Sequence, residues 1–325
     1  MLTTRFTELV GCTVPIQQAG MSRFANPELA AAVANAGGLG LVSIERADPD
    51  YVARILDDAR GRTSGALGVN LLGPDAEDPG DREAVAMAAS RVRVVDFFWA
   101  DPDAALVEIA HAGGALACWQ VGSLEEAVAA ERAGCDFIIA QGIEAGGHVR
   151  GHIGLLALLD QVLAAVKVPV LAAGGIGSGR AMAATLAAGA DGVRVGTRFV
   201  AAPEAHAHPA YVQALIAARP EDTVYTETFS YGWEHAPHRV LRSSAEAAEA
   251  FQGEIVARRV DPEDNRSVEK HRLQSFSATD EYTGASEAWP MWAGESVGDV
   301  TRVQPAAEIV RELADEAETL LRRWA

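Results

Sequence analysis

The chain of 325 residues is poor in cysteine, in aromatic residues and in positive charge. Its three cysteines, Cys12, Cys118 and Cys135, stand far apart and form no C-x-x-C pair, which argues against a disulfide framework or a structural zinc site. Lys and Arg number 27 against 45 Asp and Glu, and the formal charge of −18 argues against nucleic acid or an anionic membrane as a partner. No apolar run reaches the roughly 18 residues that a membrane span needs. These shortages predict a cytoplasmic protein without a metal site.

Short apolar segments alternate with helical patterns over the first two hundred residues. The eight candidate strands are residues 14–20, 39–44, 66–72, 92–99, 115–121, 137–143, 168–176 and 192–200. Strands that are apolar on both faces and alternate with helices indicate a parallel sheet, and eight such units close a (β/α)8 barrel. An open doubly wound sheet is less well supported, because "GGIGSGRA" does not fit the dinucleotide fingerprint and falls in the seventh unit. We therefore predict an α/β TIM barrel.

The alternation ends near residue 203, where the chain becomes irregular. We expect residues 1–202 to form the barrel core and residues 203–300 to form an insertion, or lid, that covers the barrel mouth after the eighth strand. Within the lid an Ala/Glu pattern predicts a helix near 243–259. Residues 301–325 carry an amphipathic helix that we expect to return to the barrel. Four lid histidines lack metal-ligand spacing and are predicted to be solvated or structural: His206, His208, His235 and His238.

Glycines and polar residues cluster at the predicted carboxyl ends of the strands, where TIM barrels place their active sites. The ends of strands 7 and 8 carry Gly174–Gly175 and Gly196–Thr197. Bare backbone on neighbouring strands suits a phosphate group, because N–H groups can point at its oxygens and the following helix adds its positive end. Asn70 or Gln141 is suited to hydrogen-bond a planar heterocycle nearer the centre. The residues thus predict a phosphate-bearing ligand without identifying it.

Several motifs resemble the nitronate monooxygenase family. They are "QGIEAGGHVRG" (141–151), "VPVLAAGGIGSGRAMAATLAAGADGVRVGTRFV" (168–200), "PIQQAGMSRFANPELAAAVANAGGLG" (15–40) and "GVNLL" (68–72), and the likeness returns in "MWAGESVGDVTRVQPAAEIV" (291–310). The resemblance implies an FMN-dependent barrel enzyme that oxidises alkyl nitronates or nitroalkanes with O2, through a flavin semiquinone, to a carbonyl compound and nitrite. A homodimer is one assembly to be tested.

The resemblance also implies roles for individual residues. His148 matches the active-site histidine of the family, which orients the nitronate when protonated or acts as base toward a neutral nitroalkane. Thirteen positions match FMN-binding positions: Gly20, Met21, Asn70, Gln120, Gln141, Gly146, Gly147, Gly174, Gly175, Arg194, Val195, Gly196 and Thr197.

Two departures from the family pattern stand beside these matches. An extra Val149 shifts Arg150, to which we assign no role, and Glu295 replaces a glutamine of many relatives. Three alternatives remain open. One is an FMN-dependent NAD(P)H reductase of a quinone or an enoyl thioester, one is a flavin- or phosphate-binding protein without turnover, and one is a phosphate-sugar barrel enzyme without flavin.

Overall fold

Eight parallel strands form a barrel in the computed structural model, which describes residues 2–44, 48–261 and 265–323. The strands are β1 Ile16–Gln18, β2 Gly40–Ile44, β3 Leu67–Leu72, β4 Val94–Phe98, β5 Leu116–Val121, β6 Phe137–Gln141, β7 Val170–Ala173 and β8 Gly192–Val195. From β2 to β8 each strand pairs with the next in the chain, and β8 pairs with β1. Hydrogen bonds from Leu39 N to Ile16 O and from Gln18 N to Leu39 O close the seam between β1 and β2. The predicted TIM barrel is confirmed.

Helices surround this barrel, and several of them begin at a residue whose side chain caps the first turn. The helices are α1 Arg5–Val10, α2 Pro27–Asn35, α3 Pro49–Arg62, α4 Pro79–Ala89, α5 Ala104–Ala112, α6 Leu124–Ala133, α7 Leu155–Ala165, α8 Gly179–Ala187, α9 Thr197–Val200, α10 Pro209–Ala217, α11 Arg242–Ala250 and α12 Ala306–Leu321. Asn26 and Ser123 accept hydrogen bonds from first-turn amides of α2 and α6, as their sequence contexts predict. Among the helices of the described chain, none has both the length and the apolar character to cross a membrane.

Two predicted boundaries differ most from the structure. The eighth strand ends at Val195 rather than at residue 200, because Gly196 leaves the extended conformation and Thr197–Val200 turns helical. The helix predicted near 243–259 ends at Ala250, and Ile255–Val260 forms a strand whose side chains alternate between buried and exposed along its second half. In both places the apolar or Ala-rich composition continues past a backbone change that composition alone does not reveal.

The amino-terminal part of the barrel interior is filled by apolar side chains. Leu39, Leu41, Phe137 and Ile139 are fully buried there. Helix α1 adds Phe6, whose ring meets that of Phe137 edge-on with centroids 5.3 Å apart. Because side chains fill this end, as in other TIM barrels, space for a ligand lies toward the carboxyl ends of the strands.

Strands from the described part of 203–300 form two small sheets beside the barrel mouth. Strand β9 Thr223–Thr226 pairs antiparallel with β10 His238–Leu241, and β11 Ile255–Val260 pairs with β12 Ser267–His271. Strand β10 also pairs with the two-residue segment Gly147–His148, which joins this region to the barrel. Helix α12 packs against α8, with Gly179 close to Leu313 O. The division into core, lid and closing helix stays a prediction, and residues 324 and 325 of the last segment lie outside the described residues.

Candidate active site

A cavity of about 1180 Å³ opens at the carboxyl ends of the barrel strands. His148 and twelve of the thirteen residues predicted to hold a cofactor line it: Gly20, Met21, Asn70, Gln120, Gln141, Gly146, Gly147, Gly174, Gly175, Arg194, Gly196 and Thr197. Val195 is the exception, since its side chain is buried among the apolar residues between strands and helices. The structure therefore brings residues from six predicted strand ends, with the loops that follow them, to one place.

The bottom of the cavity is a layer of polar side chains, Ser43, Asn70, Gln120, Gln141 and Arg194, with Asp96 buried directly behind them; we call these six residues the polar floor. Arg194 donates hydrogen bonds to Asp96 Oδ2 and Gln120 Oε1. Asn70 Nδ2 donates to Asp96 Oδ2 at 2.8 Å. Asp96 is fully buried, and sequence analysis missed it. Its signal was a lone carboxylate inside the apolar run "VRVVDFFW", which is costly to bury unless it is paired.

Several buried polar atoms around this floor have no hydrogen-bond partner among the described residues. They are Arg194 Nε, Gln141 Oε1 and both side-chain polar atoms of Gln17, which pairs in register with Arg194. Buried polar groups are normally satisfied by protein or water. Unused donors and acceptors next to a cavity therefore fit a ligand with several polar ring atoms, and a flavin has this character. Gln17 is a second residue that sequence analysis did not select.

One wall of the cavity is nearly bare backbone. Gly174 and Gly175 both have positive φ angles, 109° and 68°, which residues other than glycine rarely adopt. The neighbouring Thr197 accepts a hydrogen bond at its Oγ1 from Gly294 N, at 3.0 Å. Ser296, a third residue missed from the sequence, lines the same cavity. This wall has the open backbone that the approach of a phosphate requires.

The His148 ring is enclosed by other rings. Its centroid lies 4.3 Å from that of Trp233, 5.1 Å from Trp99 and 5.5 Å from Trp292. Burial lowers the pKa of His148 from 6.5 to about 4, with a smaller contribution from His238. The backbone carbonyls of Ala236 and Pro237 approach the ring and partly oppose this lowering of the pKa. The free protein therefore holds a neutral imidazole at pH 7.

Of the lid histidines, His206 lines the cavity and His238 approaches the His148 ring. His238 is fully buried, pairs in register with His148, and has its ring centroid 5.7 Å from that of His148. Its Nδ1 lies 2.8 Å from Ala236 O and its Nε2 accepts from Phe229 N at 3.2 Å, so both nitrogens have partners. These contacts fit the predicted structural role and exclude the solvated one for this residue. His208 is structural as well, since its ring accepts from Ala210 N at the start of α10.

Comparison with known proteins identifies the family. The family model described as "Nitronate monooxygenase" matches residues 3–90 and 80–316. A nitronate monooxygenase of Pseudomonas aeruginosa is 31% identical over 97% of this chain and 99% of its own length. This chain belongs to the nitronate monooxygenase family. It is accordingly a flavin-dependent oxidoreductase.

Two solved structures share the whole fold with this member of the nitronate monooxygenase family. FabK from Thermotoga maritima is 30% identical with a TM-score of 0.81, covering 100% of this chain and 99% of that one. Nitroalkane oxidase from Streptomyces ansochromogenes is 29% identical with a TM-score of 0.79, covering 99% of this chain and 100% of that one. The similarity thus extends beyond the barrel to the rest of the chain.

Two positions that depart from the family motifs lie outside the cavity lining. Arg150 pairs with Glu126 at 2.9 Å and Asp101 at 2.7 Å, which ties the loop after β6 to the start of α6. Glu295 is 41% exposed and lies 3.4 Å from Arg239 Nη1. The Glu295 carboxylate is therefore directed to an ion pair on the lid rather than into the cavity.

Proposed function

We propose that this protein catalyses the FMN-dependent oxidation of alkyl nitronates by O2 to a carbonyl compound and nitrite. Neutral nitroalkanes would enter the same reaction after losing a proton. The observation that carries the proposal is the neutral His148 imidazole, which lines the cavity and is enclosed by tryptophan rings. A proton acceptor beside a site suited to a flavin is what oxidation of a nitroalkane needs.

We assign the cofactor to the polar floor and the glycine wall. Asn70, Gln120, Gln141 and Arg194 would hold the ring system through their amide and guanidinium groups. Gly174–Gly175 and Gly196–Thr197 would hold the phosphate through backbone N–H groups. When bound, FMN accepts electrons from the substrate and passes them to O2.

His148 acts on the substrate in two protonation states. The neutral ring takes the carbon-bound proton of a nitroalkane, because a pKa of about 4 leaves it unprotonated at neutral pH. A nitronate anion bound beside the ring favours the imidazolium form and raises its pKa, since an opposite charge in a site of low dielectric stabilises the cation. The protonated ring then orients the anion, while Trp233 and Trp292 keep water from it.

A reductase is the second candidate. The cavity of about 1180 Å³ exceeds the roughly 300–1,000 Å³ of common small-molecule sites, which supports room for a second large ligand beside FMN. A nicotinamide nucleotide would then supply the electrons, and a quinone or an enoyl thioester would receive them.

The deciding experiment uses the purified protein with FMN under anaerobic conditions. Propyl nitronate is added to one cuvette and NADH to another, and the flavin absorption is followed. Bleaching by the nitronate, followed by nitrite release on admitting O2, supports the proposal. If only NADH bleaches the flavin, the reductase becomes the better-supported function. A protein that binds no flavin when FMN is supplied contradicts both.

A further inference from the structure

The polar floor contains a buried ion pair that spans the barrel. Arg194 on β8 reaches Asp96 on β4, and their side chains are 4% and 0% exposed. Buried ion pairs are weak stabilisers, because removing two charges from water costs about as much as their attraction returns. Stability alone therefore gives little reason for a charged pair where apolar side chains fill the barrel directly below.

The positive charge of this pair lies closer to the cavity than the negative charge does. Arg194 lines the cavity, whereas Asp96 lies behind it, fully buried. Both Nη atoms of Arg194 are turned to Gln120 and Asp96, and its Nε is left without a partner among the described residues. A group in the cavity is therefore closer to the cation than to the anion that neutralises it.

Other charges around the cavity have weaker influence at this depth. Arg23 pairs with Glu281 and Arg62 with Asp58, and these four side chains are 34–50% exposed. Exposed pairs are screened by water and salt, while a buried charge is screened much less. Arg259 also lines the cavity and is buried, but its guanidinium pairs with Asp261 at 3.3 Å on the lid side. Arg194 is therefore the cation that belongs to the polar floor itself.

We propose that the Arg194–Asp96 pair sets the reduction potential of FMN bound in this cavity. Arg194 stabilises the negative charge that the flavin gains on reduction, and Asp96 moderates this effect and positions the guanidinium. The proposal rests on the proposed function, since it requires FMN to occupy the cavity. It assigns Asp96, which no family motif singled out, a role in tuning the cofactor.

The test is the midpoint potential of bound FMN, measured by anaerobic reduction against a reference dye. The charge arrangement predicts an order: Asp96→Asn highest, then wild type, then the double variant R194Q/D96N, with Arg194→Gln at or below the double variant. Arg194→Gln is expected to shift the reduction equilibrium at least tenfold toward oxidised flavin, about 30 mV for a two-electron couple. Asp96→Asn is expected to shift it in the opposite direction.

Arg198→Gln is the matched control. Arg198 is also buried, but it donates to Gly177 O and Gln304 Oε1 and does not line the cavity. Its removal is expected to lower thermal stability and to change the equilibrium less than threefold.

Two results separate this inference from the proposed function. The role of the pair is overturned if the reduction equilibrium of bound FMN stays within threefold of wild type in both Arg194→Gln and the double variant. It is also overturned if the order of the midpoint potentials is reversed. Both results can be obtained even if Asp96→Asn does not fold. A wild-type protein that binds no FMN overturns the proposed function instead.

Discussion

The two sides of the cavity differ in chemistry and in origin. The polar floor comes from barrel strands, whereas the opposite side, which we call the aromatic roof, consists of Tyr231, Trp233, Phe276 and Trp292 from the lid region. Parallel strands hold the floor residues at fixed register, so this side is suited to bind one cofactor precisely in place. The roof residues stand on irregular segments and short strands, so this side is suited to select the substrate.

His148 lies at the junction of floor and roof. The segment Gly147–His148 follows barrel strand β6 in the chain yet pairs with lid strand β10. Gln141 Nε2 from the floor donates to His148 O at 3.0 Å, while the indole of Trp233 covers the ring. The backbone of His148 is therefore held by a barrel residue, and its ring is enclosed by Trp233 and Trp292 from residues 203–300.

Among the predicted variants, His148→Ala is expected to have the largest effect on activity. With a nitroalkane as substrate, kcat/KM is expected to fall about 10²–10⁴-fold, which is the range for loss of a general base. With a preformed nitronate the loss is expected to be smaller, because no proton has to be removed. Steady-state kinetics with both substrates measures the difference.

His152→Ala provides the control for that experiment. His152 lies on the same loop, is exposed, and contacts Tyr225 Oη at 3.4 Å. Its removal is expected to leave both kcat/KM values within threefold of wild type. Equal losses in His148→Ala for nitroalkane and nitronate would contradict the role of His148 as base.

The next effect concerns the contact between barrel and lid. A Cβ added at Gly146 would lie 2.3 Å from Gly294 N, so the lid segment that follows Trp292 would have to move. Gly146→Ala is expected to destabilise the protein by about 1–3 kcal/mol, as overpacking commonly does, and to weaken FMN binding. Thermal unfolding and an FMN titration measure both.

Gly61→Ala is the matched glycine variant. Gly61 lies in α3 with open space around an added Cβ, and alanine there is expected to stabilise the helix by about 0.5–1 kcal/mol. Similar unfolding temperatures for the two variants would show that Gly146 and Gly294 are not in close contact.

The floor was predictable from the sequence to a greater extent than the roof. Asn70 and Gln141 are polar residues at the ends of apolar runs, and this local pattern is sufficient to place them at the mouth of a barrel. The pairing of Asp96 with Arg194 joins residues 98 positions apart, and it depends on barrel closure and register. His238 was harder still, because its approach to His148 follows from the path of an irregular lid.

Opening the roof is expected to change the pH dependence of the reaction. Trp233→Ala exposes the His148 ring to water, which moves its pKa from about 4 toward the ordinary 6.5. Because the neutral ring is the base, kcat/KM for a nitroalkane falls as pH drops through this pKa. The wild type is expected to keep its rate down to nearly pH 4, and Trp233→Ala to lose it near pH 6. A wild-type profile that already falls near pH 6.5 would contradict the shielding of the ring by the roof.

The smallest expected effect is that of Glu295→Gln, which tests whether the carboxylate belongs to the lid or to the cavity. Glu295 pairs with Arg239 at 3.4 Å from a partly exposed position, and such pairs contribute about 0–1 kcal/mol. Arg239 keeps its hydrogen bonds to Ile143 O and Thr223 Oγ1, so the stability change is expected to stay below about 1 kcal/mol. The reduction equilibrium of bound FMN is expected to move less than threefold. A tenfold shift toward reduced flavin would show that the Glu295 carboxylate acts on the cavity, and control of the cofactor would then be shared between floor and lid.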